Sequence, residues 1–236
     1  MKRFVSILLT IFVTTSLFSQ VPDHIKRRYT NSTDVFTVIP INKPDNFNNK
    51  AINPGVSINA SYVVPFGKSN FAFSIGGGFT FYNYYLKSLP KDMVPTALHN
   101  ENWGEDFYFI PTDSLQNSLS VSKNKMSLNY IDIPLEFRYR ANNGLKFTAG
   151  VKIGFLINSH HKYKGTDFIF GTTDAIKIKK YKLNNLSNFQ IGPIVRFGWK
   201  WFNLYASYSL VSVYDPSGGS KLNPLSIGIS FTPDGW

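Results

Sequence analysis

Four segments of the chain alternate apolar and polar side chains with a period of two, over lengths that a short hairpin would not need. In residues 71–81, Phe71, Phe73, Ile75, Phe79 and Phe81 share one face, and Ala72, Ser74, Gly76, Gly78 and Thr80 the other. In 131–140, Ile131, Ile133, Leu135, Phe137 and Tyr139 alternate with Asp132, Pro134, Glu136, Arg138 and Arg140. In 145–157, Leu145, Phe147, Ala149, Val151, Ile153, Phe155 and Ile157 alternate with Lys146, Thr148, Gly150, Lys152 and Gly154. In 189–200, Phe189, Ile191, Val195, Phe197 and Trp199 alternate with Gln190, Gly192, Arg196, Gly198 and Lys200. Successive side chains of a strand point to opposite faces, so this period dictates β-structure. Segments 52–64, 203–214 and 223–232 also read as extended, and no comparable helical stripe is present.

The connections set the strand count. Tight turns are expected at 65–70, at 141–144 and around Trp201 and Phe202, with long polar connections at about 88–125 and 159–186 and a shorter one at 216–220. Short and long links alternate in outer-membrane barrels, which have short periplasmic turns and longer external loops. Seven strands would leave the chain ends on opposite sides, so residues 33–41 are expected to supply an eighth. The fold expected is all-β, an eight-stranded antiparallel transmembrane up-and-down β-barrel. Pro134 and Pro193 fall mid-strand, where a missing N–H calls for a bulge or another partner.

Alternation alone does not say which face points outward, and a secreted soluble barrel or sandwich would put the apolar side chains inside. Volume decides for the membrane. The interior of an eight-stranded barrel is just wide enough for side chains to fill it, and the four clear strands would crowd it with bulky groups, many of them Phe. Small residues interleaved with Lys, Arg and Glu suit a narrow wet lumen instead. The strands also reach the roughly 9–11 residues that a tilted membrane strand needs. Charged residues are only 17% and aromatics 16%. Tyr82, Tyr84, Tyr85, Tyr139, Trp199 and Trp201 fit aromatic girdles at the interfaces.

The first residues carry an address. Lys2 and Arg3 precede the apolar run 4–13 and the small residues Thr14, Thr15 and Ser16, the order found in a secretory signal peptide. The run is shorter than the roughly 20 residues of a membrane helix. The layout expected is a signal peptide at 1–20, a polar periplasmic leader at 21–32 and a barrel at 33–236, integral to the outer membrane of a Gram-negative bacterium. The chain has no cysteine, which excludes disulfides, thiolate metal sites, a cysteine nucleophile and a lipoprotein anchor. Its net charge is +11, with 25 Lys+Arg against 14 Asp+Glu. Nucleic acid, the generic partner of a basic chain, does not fit a secreted barrel.

The segment Tyr130-Ile131-Asp132-Ile133-Pro134-Leu135-Glu136-Phe137-Arg138-Tyr139-Arg140 resembles the "IP" strand of the PorT-like outer-membrane β-barrel family of Bacteroidota. There it leads into a short turn and a glycine-bearing strand, here 145–157. The hairpin from 53 to 85 is similar in layout, and 225–231 looks like an insertion signal for barrel assembly, although Thr232 to Trp236 extend past its last aromatic residue. A signal ending Ser19-Gln20 is common in that phylum. The resemblance implies the fold and the compartment and carries no catalytic residue across.

Two sets of residues are candidates for function. Asp132, Glu136, Arg138, Lys146, Lys152, Arg196 and Lys200 share the lumen face and are expected to form an ion-paired core, the alternative being a small polar conduit. Loop 88–125 is acidic in its middle and aromatic at Trp103, Phe107 and Tyr108, a composition that favours protein contact. Asp113-Ser114-Leu115 within it resembles a short O-glycosylation sequon. Loop 159–186 carries Lys177, Lys179, Lys180 and Lys182 on an alternating stretch, a surface suited to lipopolysaccharide phosphates or an acidic partner. Ser159, His160 and His161 would be the residues of a hydrolase or a metal site, but no acidic partner or third ligand is apparent. No cofactor, catalytic residue or metal ligand is assigned. The expected function is a non-enzymatic scaffold or accessory subunit of a larger outer-membrane complex, in contact with lipid, lipopolysaccharide and other outer-membrane proteins. A narrow passive channel and a lipid-modifying enzyme are the alternatives.

Overall fold

The structure, a computed structural model, describes residues 28–44, 46–95, 109–112, 120–170, 172, 174–215 and 221–233. The expected signal segment 1–20, leader residues 21–27, the residues Trp103, Phe107 and Tyr108, and the sequon at 113–115 lie outside the described residues. The strands, in chain order, are β1 (Tyr29–Ile41), β2 (Pro54–Pro65), β3 (Phe71–Tyr85), β4 (Ser88–Pro90), β5 (Phe109–Pro111) and β6 (Val121–Arg140). They continue with β7 (Leu145–Thr166), β8 (Ala175–Tyr181), β9 (Phe189–Trp199), β10 (Phe202–Tyr208) and β11 (Asn223–Phe231).

Eight of these strands close on themselves. β1, β2, β3, β6, β7, β9, β10 and β11 each pair antiparallel with the next, and β1 pairs with β11 from Thr33 opposite Phe231 to Ile41 opposite Asn223. Tyr29 and Phe231 lie at the same end as the tight turns after β2, β6 and β9. The other end carries the longer loops, 42–53 among them. β1 starts at Tyr29 and not at Thr33, because the alternation of outward Tyr29 and Asn31 with buried Thr30 and Ser32 already runs through the expected leader and pairs with Tyr62 to Asn59. β10 stops at Tyr208, where the alternation of the expected 203–214 strand fails; the chain then turns inward and buries Val213 and Tyr214.

Each proline falls where one neighbouring ladder lapses. The β3–β6 register is unchanged on either side of Pro134, but pairing is missing between Ile75–Leu135 and Gly78–Asp132. Pro193 lies one residue past Ile194, the last residue of β9 that pairs with β10. Neither proline sits at a bulge. The register shifts of the β6–β7 ladder lie elsewhere, at Ile157 in β7, between the pairs Asn129–Asn158 and Tyr130–Leu156, and at Ser122 in β6, between Val121–Gly165 and Lys123–Lys164.

The bulky alternating side chains face out: Phe71, Ile75, Phe79, Phe81, Ile131, Ile133, Phe137, Phe155, Phe197 and Trp199 are exposed. Their small and charged partners face in. One of the small residues is essential to the β6–β7 seam, since a Cβ on Gly150 would stand 2.1 Å from the Leu135 carbonyl oxygen. Gly150→Val must push the two backbones apart, and overpacking of this kind costs about 1–3 kcal/mol. The urea midpoint for loss of the compact, heat-modifiable gel band is expected to fall accordingly, and an unchanged midpoint would refute the close approach.

The interior has two layers. Toward the turn end it is ionic. Toward the loop end, the inward face of the same strands becomes aromatic and apolar, with Phe36, Tyr82, Tyr84, Met126, Leu128, Tyr130 and Tyr205 joined by Phe109 of β5 and the loop residues Phe47 and Tyr214. Tyr82 and Tyr84 therefore fill the lumen and do not form an interfacial girdle. Their even parity matches that of the inward-facing Thr80, while Phe81 and Tyr85 keep the outward parity. Beyond the apolar belt β6 and β7 continue upward, β8 pairs with β7 from His160 opposite Tyr181 to Thr166 opposite Ala175, and β4 pairs with β5. A second apolar cluster of Leu89, Met93, Val94, Ile110, Tyr163 and Phe168 binds these pieces into one module. Asn124 fastens it to the barrel, its amide donating to the Ser88 carbonyl at 2.8 Å.

Candidate functional site

The ionic layer centres on Arg196. Its Nε and Nη2 donate to the two oxygens of Asp34 at 2.9 Å each, and its Nη1 donates to Glu136 Oε1 at 2.6 Å. The other oxygen of Glu136 accepts from Arg138 Nη2 at 2.6 Å and Nε at 3.0 Å, and from Ser74 Oγ at 3.3 Å. A second group lies nearer the aromatic layer. Asp132 accepts from Thr80 Oγ1 and from Gln190 Nε2 and faces the Lys152 ammonium at 3.7 Å. Lys152 Nζ also reaches Thr80 Oγ1 at 3.3 Å and the Tyr82 hydroxyl at 3.4 Å. Three acids thus meet three bases, each buried. Burying charge is expensive unless each is paired and hydrogen-bonded, and here every one is.

Five of the seven predicted lumen residues meet in or beside this network. Lys146 is half-buried at the turn-end mouth, where its Nζ lies 3.5 Å from the Thr232 carbonyl. The cavity it lines there with Arg138 and Arg196 holds about 20 Å³, room for roughly one water. Lys200 does not belong to the network. It sits in the β9–β10 turn with φ 51°, exposed, its ammonium over the Trp199 ring at 4.6 Å; the alternation that assigned it inward ends with the strand at Trp199. Asp34 was missed. In residues 33–41 both faces are largely apolar, with Phe36 and Val38 beside Asp34 and Val35 and Ile39 opposite, so alternation gave no side to it.

At the loop end the predicted lysines divide. Lys177 and Lys179 lie exposed on the outward face of β8. Lys180 points the other way and bonds to Asp92 Oδ2 at 2.7 Å. Lys182 follows the strand, exposed, with φ 52° and its N–H on the Ser159 carbonyl at 3.0 Å. Neither shares the face of Lys177. Ser159 and His161 face inward and His160 outward. Ser159 Oγ accepts from the Leu183 N–H at 3.0 Å and His161 Nε2 bonds to Asn124 Oδ1; among the described residues neither bonds to a carboxylate. Burial, helped by the neighbouring His160, lowers the His161 pKa to about 3. A pKa that far from neutral pH, with no orienting acid among the described residues, is poorly matched to general acid–base work. Among the described residues no group of three or more His, Asp or Glu is placed to hold a metal ion.

With this geometry in hand, the family model described as "Outer membrane protein beta-barrel domain" matches residues 28–214. The chain belongs to that family. It is an integral outer-membrane barrel, and the outward belt of Phe and Ile is its lipid-facing surface. The short turns, with Tyr29 and Phe231, then lie on the periplasmic side and the longer loops outside, as in barrels of this type. Among solved structures the chain is similar to Ail, the attachment invasion locus protein of Yersinia pestis, in complex with the heparin analogue sucrose octasulfate. Identity is 14% and the TM-score 0.35, over 87% of this chain and 96% of that one. It is also similar to Ail in a phospholipid bilayer nanodisc, at 14% identity and TM-score 0.34, over 86% and 98% of the two chains. No curated protein matches the chain.

Proposed function

We propose that this barrel is a non-enzymatic scaffold or accessory subunit of a larger outer-membrane complex, of the PorT-like kind found in Bacteroidota. The observation that carries the reading is the contrast between a filled lumen and an elaborated exterior. The interior is occupied by an ionic layer and an aromatic layer, whereas β4, β5, β8 and the upper parts of β6 and β7 form a packed extracellular module. A protein that built such a module around a closed core is suited to presenting a surface, and Trp103, Phe107 and Tyr108 in the adjoining loop supply interface-favouring side chains. Secretion, nutrient uptake and barrel assembly are the kinds of machine it would serve.

The test is a gentle-detergent isolation of the tagged protein from its own outer membrane. A stoichiometric outer-membrane partner is expected, lost when Trp103, Phe107 and Tyr108 are replaced together by Ala. Isolation as a lone protein, with steady single-channel current in a planar bilayer, would replace this reading with that of a narrow channel.

A further inference from the structure

Strand register brings six lysines into two rows on one face. Lys125 lies opposite Lys162, which lies opposite Lys179; one step higher, Lys123 lies opposite Lys164, which lies opposite Lys177. Directly opposed side chains on a sheet have Cβ atoms about 5 Å apart, and the two rows are about 7 Å apart along the strands. Like charges set directly opposite each other are destabilising. Among the described residues no ion pair reaches Lys123, Lys125, Lys164, Lys177 or Lys179. The nearby carboxylate of Asp92 is engaged on the opposite face, by Lys180. Burial and the charges of Lys123, Lys162 and Lys179 lower the pKa of Lys125. A cavity of about 230 Å³ beside Lys123, lined also by Lys50 and Lys87, adds two cations next to the upper row.

The position of the face selects its ligand. Lys125 and Lys123 have the same outward parity on β6 as Ile131 and Ile133, and Lys125 pairs with Tyr85 in the column of β3 that includes Phe79 and Phe81. A polar collar of Asn83, Ser127, Asn129 and His160 separates the two zones. Asn83 Oδ1 accepts from Lys125 Nζ at 2.7 Å and from Ser127 Oγ at 3.0 Å, which ties the lower row to the collar. Four residues from Phe81 to Tyr85 span about 13 Å of strand, or about 10 Å of height at the usual tilt. The lower row therefore stands at the outer edge of the head-group layer. Like the apolar belt below it, the face looks sideways toward neighbouring lipids.

We propose that this outward face of β6, β7 and β8 binds the phosphate groups of anionic glycolipids in the outer leaflet, with Lys125, Lys162 and Lys179 as the membrane-proximal row and Lys123, Lys164 and Lys177 as the distal one. The proposal rests on the outer-membrane placement and is independent of the accessory-subunit reading, so either can fail alone.

Native mass spectrometry of the full-length barrel in mild detergent tests it, with bis-phosphorylated lipid A and its dephosphorylated form as probes. The phosphorylated lipid is expected to bind at least about tenfold more tightly, since each lysine near an anionic surface contributes favourably. The preference should shrink as salt is raised. Changing all six lysines to Gln should abolish it while the compact gel band is retained, and Lys180→Gln on the opposite face should leave it intact. If the six-fold variant does not fold, the row variant K125Q/K162Q/K179Q should still lose most of the preference. Equal affinity for the two lipids, or a preference that survives these changes, would overturn the proposal. So would tighter binding of soluble polyphosphate than of lipid A, which would make the ligand a soluble polyanion.

Discussion

Replacing Arg196 by methionine should destabilise the barrel by about 3–5 kcal/mol, the range expected when one partner of a buried ion pair is removed. The guanidinium is the only described group that bonds to Asp34 through a side chain, and it holds one of the two oxygens of Glu136. Methionine fills part of the same space, so most of the loss comes from the stranded carboxylate of Asp34. Glu136 still keeps Arg138. This asymmetry gives a sharper check than the single variant. The double variant Arg196→Met with Asp34→Asn removes both charges and leaves Glu136–Arg138 and Asp132–Lys152 paired. It should recover much of the lost stability. The readout is the temperature at which the compact gel band converts to the extended one. Equal midpoints for the wild type and Arg196→Met would mean that water already screens the layer; a double variant no better than the single one would mean that the packing of Arg196, not its charge, carries the effect.

How much of this was legible follows from what alternation encodes. Period two over 71–81, 131–140, 145–157 and 189–200 identified the strands, and the excess of Phe over available lumen volume set the outward face. Those arguments need only parity and size. They fail where parity stops being informative. Asp34 sits in a strand whose two faces are both largely apolar, so its partner Arg196, though on the predicted lumen face, was left without its principal acid. Tyr82 and Tyr84 were placed at the membrane surface because aromatics near strand ends fit girdles, yet their even parity already put them inside. Lys200 and Lys182 follow strand ends, each with positive φ, where alternation no longer applies. The six-lysine face was partly visible as Lys177 and Lys179. Its other four members lie on two different strands, and only register, which no sequence period specifies, sets them beside one another.

Tyr130→Ala should destabilise the barrel by about 3–5 kcal/mol, the cost of truncating a large buried aromatic, and yet leave it non-conducting. Tyr130 is inward and buried in the upper layer, its ring edge-on to Tyr82 with centroids 5.7 Å apart, and Tyr82 in turn packs against Phe36 at 5.7 Å. Removing the ring opens a void in that cluster. Two residues further toward the periplasm on the same strand, Asp132, together with Lys152 of β7, still closes the section with Thr80, Gln190 and the Tyr82 hydroxyl. Four residues beyond Asp132 comes Glu136, with Arg138, Arg196 and Asp34. The two layers are thus stacked along the barrel axis and seal independently, so loss of packing in one does not clear a path through the other. Tyr130→Phe keeps the ring and should sit close to wild type in stability. Steady single-channel current through Tyr130→Ala in a planar bilayer would show that the ionic layer is no barrier to ions, and the lumen would then have to be read as a conduit gated by its aromatic cluster.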